Sequence, residues 1–181
     1  MKLLGEKVKT LAEANGVTRQ DLARAIERTG LKGDRALSAI NNWIGGKDHP
    51  RARAEDIRRV AQTIGCEPKD IARFVSKVRF HRGSEQKAKL LTDLVRGKSY
   101  LEAENLLRFN SKRAAVNVRK ALNAAKADAE QQQADVEKLV VAESSIDRAM
   151  HIKRFKAKDR GRAHQILKRT SHITVGVEER N

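Results

Sequence analysis

The chain has 181 residues, with 39 Lys and Arg against 23 Asp and Glu, for a formal net charge of +16. That length suits one medium domain or two small ones, and that charge demands a polyanionic partner, of which nucleic acid is the commonest. No uncharged run approaches the ~20 residues of a membrane-spanning helix, and the single cysteine, Cys66, excludes an internal disulfide.

The opening "MKLLGEKVK" is broken by Glu6 and Lys7 and is too short for a signal peptide, so a cytoplasmic protein is expected. His49, His81, His151, His164 and His172 are scattered, and none pairs with the cysteine at metal-ligand spacing. Neither a metal nor any other cofactor is expected. With one Trp, one Tyr and four Phe, any core must lean on Leu, Ile, Val and Ala.

Residues 1–72 read as an all-helical domain. "LLGEKVKTLAEANG" sets Leu4, Val8 and Leu11 on one face and stops at Gly16. "TRQDLARAIERTG" opens on Thr18 and Asp21, a capping box with Asp in the Glu place, and runs to Gly30. "DRALSAINNWIGG" carries Leu37, Ile40, Trp43 and Ile44, and "RAEDIRRVAQTIG" carries Ile57, Val60, Ala61 and Ile64. A last short helix starts at "EPKDIARFV", with Pro68 at its first position.

Over about residues 3–72 these segments resemble the small helix-turn-helix domains of phage repressors. In that family the helix ending near the tryptophan enters the DNA major groove, and the matching polar positions are Arg35, Ser38, Asn41 and Asn42. Extra residues, "ERTGLKGD" in outline, enlarge the turn between the second and third helices. Residues 1–76 hold 15 basic and 10 acidic side chains, a modest surplus. A docking or packing role therefore suits this domain better than DNA reading.

Residues 73–78 are expected to be a junction, as a helical continuation rather than a loose linker, and 79–181 to form a second domain. "KVRFHR" suggests a short strand, and "SEQKAKLLTDLVRG" a helix through Ala88, Leu91, Leu94 and Val95. "SYLEAENLLRF" restarts with Ser99 and Glu102 as a capping box. "SKRAAVNVRKALNAAKADAEQQ" is a long helix whose stripe of Val118, Leu122, Ala125 and Ala129 reads as core.

Beyond it, Val136, Val140, Ala142, Ile146, Met150 and Ile152 share one parity, and so do Leu167, Ile173, Val175 and Val177. Two period-two stretches around a glycine-containing segment predict a hairpin over about 136–177, with its tip at about 153–163. Residues 148–169 hold nine basic residues against Asp159 alone, half the net charge of the protein. At roughly 3.3 Å per residue, a strand from 138 to 154 spans on the order of 50 Å, so its distal part must overhang a globule of about 13 Å radius of gyration. An isolated two-stranded ribbon is marginal in water, and this one's charge makes phosphate its natural support.

Four segments, in order, make the second half resemble the large-subunit ribosomal protein family numbered twenty-two in bacteria: "RFHRGSEQKAKLLTDLVRGKS", "EAENLLRFNSKRAAVNVRKALNAAKADAE", "VEKLVVAESSIDRAMHIKRF" and "GRAHQILKRTSHITVGV". The resemblance implies an α+β fold: a small globule with a three-stranded antiparallel sheet, three helices and a long protruding β-hairpin. It implies a structural constituent of the large ribosomal subunit that binds its RNA, supports assembly and lines the peptide exit tunnel with the hairpin tip. The implied partners are large-subunit ribosomal RNA, neighbouring ribosomal proteins and the nascent peptide, with no membrane and no small-molecule substrate.

Carried over by position, the implied RNA contacts are Lys87, Arg113, Lys153, Arg154, Lys156, Lys158, Arg160, Gly161, Arg162, Lys168, Arg169, Thr170, Ser171 and His172. Gly161 would supply the turn. The chain departs from the family pattern at Ser84-Glu85-Gln86-Lys87, Ala149-Met150, Ala157 and Asp159, losing prolines and adding a carboxylate to the basic run.

Two other function classes compete with this reading. A DNA-binding transcriptional regulator with a basic C-terminal arm would prefer a particular duplex to ribosomal RNA. An enzyme is disfavoured: Ser171 and His172 are strand neighbours pointing to opposite faces, and no phosphate loop or dinucleotide fingerprint appears.

Overall fold

Capping boxes set where three helices of the first half begin. A computed structural model describes residues 1–180, and its contacts divide into two units: Met1–Phe74 with Asp128–Ala134, and Val75–Ala127 with Asp135–Asn181.

The first unit carries β1 (Lys2–Leu3) and five helices: α1 (Gly5–Ala14), α2 (Arg19–Ala25), α3 (Asp34–Ile44), α4 (Ala54–Ile64) and α5 (Pro68–Ile71). At the start of α2, Asp21 N–H donates to Thr18 Oγ1 at 3.3 Å and Thr18 N–H donates to an Asp21 oxygen at 3.2 Å. Both orphan donors of the helix end are thereby satisfied. The helix stops at Ala25, short of Gly30, because Arg28 and Leu31 exchange backbone hydrogen bonds of 3.0 and 2.9 Å in a tight loop. Val8, Leu22, Ile26, Ile40, Trp43, Ile57, Val60 and Ile64 form the core. Gly5 lets the start of α1 meet the end of α3, since a Cβ there would lie 2.4 Å from the Ile44 carbonyl oxygen.

One charged group sits inside this core. Asp56 is 1% exposed; it accepts from the Arg53 N–H at 2.9 Å and pairs with Arg28 Nη2 at 3.1 Å.

The chain then extends as β2 (Ala72–Arg82), whose opening residues Ala72 and Arg73 pair antiparallel with Leu3 and Lys2 of β1. Residues 73–78 are therefore strand, not a helical junction. Phe74, Val75, Val78 and Phe80 are β-branched or aromatic, and such side chains favour extended backbone.

The second unit continues with α6 (Glu85–Val95), α7 (Tyr100–Arg108), α8 (Ala114–Glu130), β3 (Leu139–Arg148), β4 (Ile152–Ala157), β5 (Ala163–Lys168) and β6 (Thr170–Glu179). β6 lies between β2 and β3, while β4 and β5 form a separate two-stranded ribbon. β3 and β6 are antiparallel, from Leu139 opposite Glu179 to Arg148 opposite Ser171. Leu139, Val141, Ile173, Val175 and Val177 are buried, as are Leu91, Val95, Leu107, Val118 and Leu122 of the helices.

Parity along β3 differs from the expected one. Leu139 and Val141 are buried while Val140 and Ala142 are partly exposed. A register shift between Val141 and Glu143 then turns Ser144 inward. The bulge adds one residue on one strand, so a single apolar parity does not persist through it. In the returning stretch Ile173, Val175 and Val177 are core, but Leu167 is 49% exposed because it belongs to the ribbon.

β2 changes face by another device. Phe80 has φ +54°, a left-handed conformation uncommon for a bulky residue. Its N–H donates to His172 Nδ1 at 3.1 Å, and the two rings meet edge-on with centroids 4.8 Å apart. The next side chain, His81, turns inward, with its Nδ1 at 2.7 Å from Asn117 Nδ2 of α8. Burial first, and then the charge of Arg113, hold its pKa below the ordinary 6.5.

Two outcomes are expected. Arg28→Ala leaves Asp56 buried without its counter-charge and destabilises the first unit by about 3 kcal/mol, read as a lower urea midpoint by the fluorescence of buried Trp43. His81 binds its proton more weakly folded than unfolded, so the stability it contributes is complete above about pH 6.5 and is lost as pH falls through the lower folded value. Urea midpoints by circular dichroism should drop from about pH 7.5 to about pH 5 more steeply for the native chain than for His81→Gln.

Candidate nucleic-acid interface

The ribbon is held by six rungs, from Ile152 opposite Lys168 to Ala157 opposite Ala163. Six residues at roughly 3.3 Å each make it about 20 Å long. Alternation puts Lys153, Phe155, Ala157, Ala163, Gln165 and Leu167 on one face, and Ile152, Arg154, Lys156, His164, Ile166 and Lys168 on the other. Both faces mix cations with apolar side chains, and nearly every position is exposed, Phe155 at 76%. Neither face is committed to a core of the chain's own.

At the tip, Lys158 N–H donates to the Arg162 carbonyl at 2.7 Å and Arg162 N–H donates to the Asp159 carbonyl at 3.2 Å. Arg160 and Gly161 both adopt positive φ, +53° and +70°, a conformation that glycine supplies without strain. The Asp159 carboxylate accepts the Arg160 N–H at 2.9 Å. The acidic residue in the basic run thus serves the turn. Lys158, Arg160 and Arg162 project around it, all exposed.

The ribbon joins the sheet through a break on each strand. At residues 149–151, Ala149 N–H donates to the Thr170 carbonyl at 3.1 Å and the Thr170 hydroxyl to the Met150 carbonyl at 2.5 Å. Thr170 and Ser171 are 3% and 0% exposed, so neither presents a side chain to a partner. His172 is partly exposed and held by Phe80. The expected continuous 50 Å strand is thus two shorter strands, only the distal one projecting.

Beside that root is a cavity of about 820 Å³ lined by residues 81–84, Lys87 and Leu90, residues 112–114, and residues 167–169. It brings Lys87 and Arg113, both expected from the sequence, together with Lys168 and Arg169. Arg82 and Lys112 were not expected; Arg82 joins because Gly83 N–H donates to the Arg169 carbonyl at 3.1 Å, tying the end of β2 to the start of β6, and Lys112 arrives on the segment that leads into α8. Nothing local in the sequence marks this convergence of three segments.

In the first unit, Arg35, Ser38 and Asn41 are exposed on α3 and Asn42 is half-buried. Asn41 accepts from Arg19 at 3.2 Å and Asn42 donates to the His49 carbonyl at 2.9 Å. Arg35, Ser38 and Asn42 border a shallow groove that also includes Asp34. Among the described residues no His, Cys, Asp or Glu cluster suits a metal ion, and no helix is long and apolar enough to cross a membrane.

A family model described as Ribosomal protein L22p/L17e matches residues 76–178, more than half of the chain. The match covers the globule, the ribbon and the cationic cavity, and begins beyond the five helices of the first unit. With β3, nearly all of β6, most of β2, the three helices and the projecting basic ribbon inside that span, the chain belongs to the ribosomal protein L22p/L17e family, structural proteins of the large ribosomal subunit.

Proposed function

We propose that the protein binds large-subunit ribosomal RNA during subunit assembly, with the ribbon inserted between RNA segments and its tip at the wall of the peptide exit tunnel, beside the nascent peptide. The observation that carries this is a cationic ribbon exposed on both faces and lacking an apolar face for its own globule. Lysine and arginine neutralise phosphates and release counterions, giving affinity with little base readout. Lys153, Arg154, Lys156, Lys158, Arg160, Arg162, Lys168 and Arg169 are the contacts on the ribbon, Gly161 the close backbone approach, and Lys87 and Arg113 those on the globule. His172 acts by holding the bend at Phe80.

The first unit is a docking module on the subunit surface, against RNA or a neighbouring ribosomal protein. Its likeness to helix-turn-helix domains is one of sequence, and its groove on α3 carries Asp34 as well as Arg35. That mixed charge suits a protein or mixed surface better than bare phosphate.

Changing Lys153, Arg154, Lys156, Lys158, Arg160 and Arg162 together to glutamine should abolish co-sedimentation of the tagged chain with large subunits in moderate salt. The same variant should flatten the dependence of log K on log salt by about 0.7 for each phosphate that is no longer neutralised. Changing Arg35, Ser38 and Asn41 to alanine should leave co-sedimentation intact. Tight preference for a DNA duplex over ribosomal RNA would overturn the reading.

A further inference from the structure

The cavity at the ribbon's root has a chemistry that the ribbon lacks. Arg82, Lys87, Lys112, Arg113, Lys168 and Arg169 rim it, and no carboxylate is among its lining residues. Among the described residues none of these six cations forms an ion pair. Between them lies apolar surface from Leu90 and Leu167, which are 59% and 49% exposed.

A phosphate chain alone would satisfy the rim and leave those leucines wet. A partner that carries closely spaced negative charge and a flat apolar face would cover both, and an RNA residue has that combination. An acidic peptide matches the rim only through a run of carboxylates, and then offers the leucines little. The two longer helices reinforce the choice: α6 begins beside Ser84, which makes no side-chain cap bond, and α8 begins at Ala114. Both helix starts lie at the cavity, and although the Ala115 N–H of α8 is already bonded to the Lys112 carbonyl, the uncapped start of α6 favours phosphate oxygens.

His81 completes the wall. With the Asn117 amide donating to Nδ1, the neutral ring carries its proton on Nε2. That atom lies 2.6 Å from where a Cβ on Gly83 would be, so glycine at 83 is what leaves the ring its place.

We propose that this cavity holds one unstacked nucleotide of large-subunit ribosomal RNA, its base lying on Leu90 and Leu167 and its flanking phosphates on Lys87, Arg113, Lys168 and Arg169, with the buried His81 ring forming the wall behind. The inference rests on the RNA-binding reading above and adds a single-residue pocket to it.

The test uses the full chain and purified large-subunit ribosomal RNA in filter binding across a salt series, with transfer RNA as competitor. Leu90→Ser with Leu167→Ser, both at exposed positions, should weaken binding about tenfold with an unchanged salt slope. Lys87→Gln with Arg169→Gln should weaken binding and flatten the slope. Circular dichroism of each variant should match the native chain. In subunits reconstituted with 4-thiouridine-substituted RNA, a photo-adduct should map to the peptides bearing Leu90 or Leu167. Native affinity in the leucine variant, or a cross-link from those peptides to a neighbouring protein, overturns the pocket while leaving RNA binding in place. If the native chain does not prefer ribosomal over transfer RNA, the broader reading fails first, and the leucine variant is not needed to show it.

Discussion

Between Ile152 and Lys168 two strands hold each other through backbone hydrogen bonds with almost no apolar burial to help them. Charge is the smaller part of that difficulty. Two like charges ~10 Å apart in water repel by about 0.4 kcal/mol, and physiological salt screens them beyond about 8 Å. The larger deficit is the missing core, because a two-stranded ribbon alone is marginal at best. An RNA groove, as proposed, would repair both at once: phosphates would neutralise the lysines and arginines, and packed nucleotides would cover Phe155, Ile152, Ile166 and Leu167. The ribbon's dependence on a partner is therefore one of packing first and electrostatics second.

The globule meets that dependence by building a firm root. The Thr170 hydroxyl closes onto the Met150 carbonyl across the break in the strands, Gly83 is bonded to Arg169, and Phe80 is bonded to His172. Each tie sits where regular pairing gives way. The root is tied by bonds to neighbouring strands, while the turn at the tip is closed only by bonds within itself. A lever of this kind carries the positioning error of its base to its end, which is reason enough for buried side chains at Thr170 and Ser171 where the family resemblance suggested RNA contacts.

Helices were legible because their signals are local. Thr18 with Asp21, Ser99 before α7 and Pro68 at the start of α5 mark true helix starts, and the stripe Val118, Leu122, Ala125 is buried throughout. The ribbon's existence was legible from alternation and charge, and the family from four ordered segments. Facing was not. A bulge after Val141 and a left-handed Phe80 each reverse parity; the first has its glycine, Gly176, on the opposite strand, and the second falls on a residue that is neither glycine nor proline. The cavity was half visible, through Lys87 and Arg113. Leu167 shared the parity of the core residues Ile173, Val175 and Val177, and Leu90 lay outside the predicted face of its helix; an exposed leucine and a buried one are the same letter.

The two units differ in what they need from a partner. The first has a closed aliphatic core around Trp43, reciprocal caps and a buried Arg28–Asp56 pair. Breaking such a pair is costly, yet the pair itself gives little net stability and chiefly fixes one arrangement. None of these features requires phosphate. The ribbon has no such internal resource, and half the net charge of the protein is placed around it. Affinity for RNA therefore belongs on the second unit, where covering the ribbon stabilises fold and complex together.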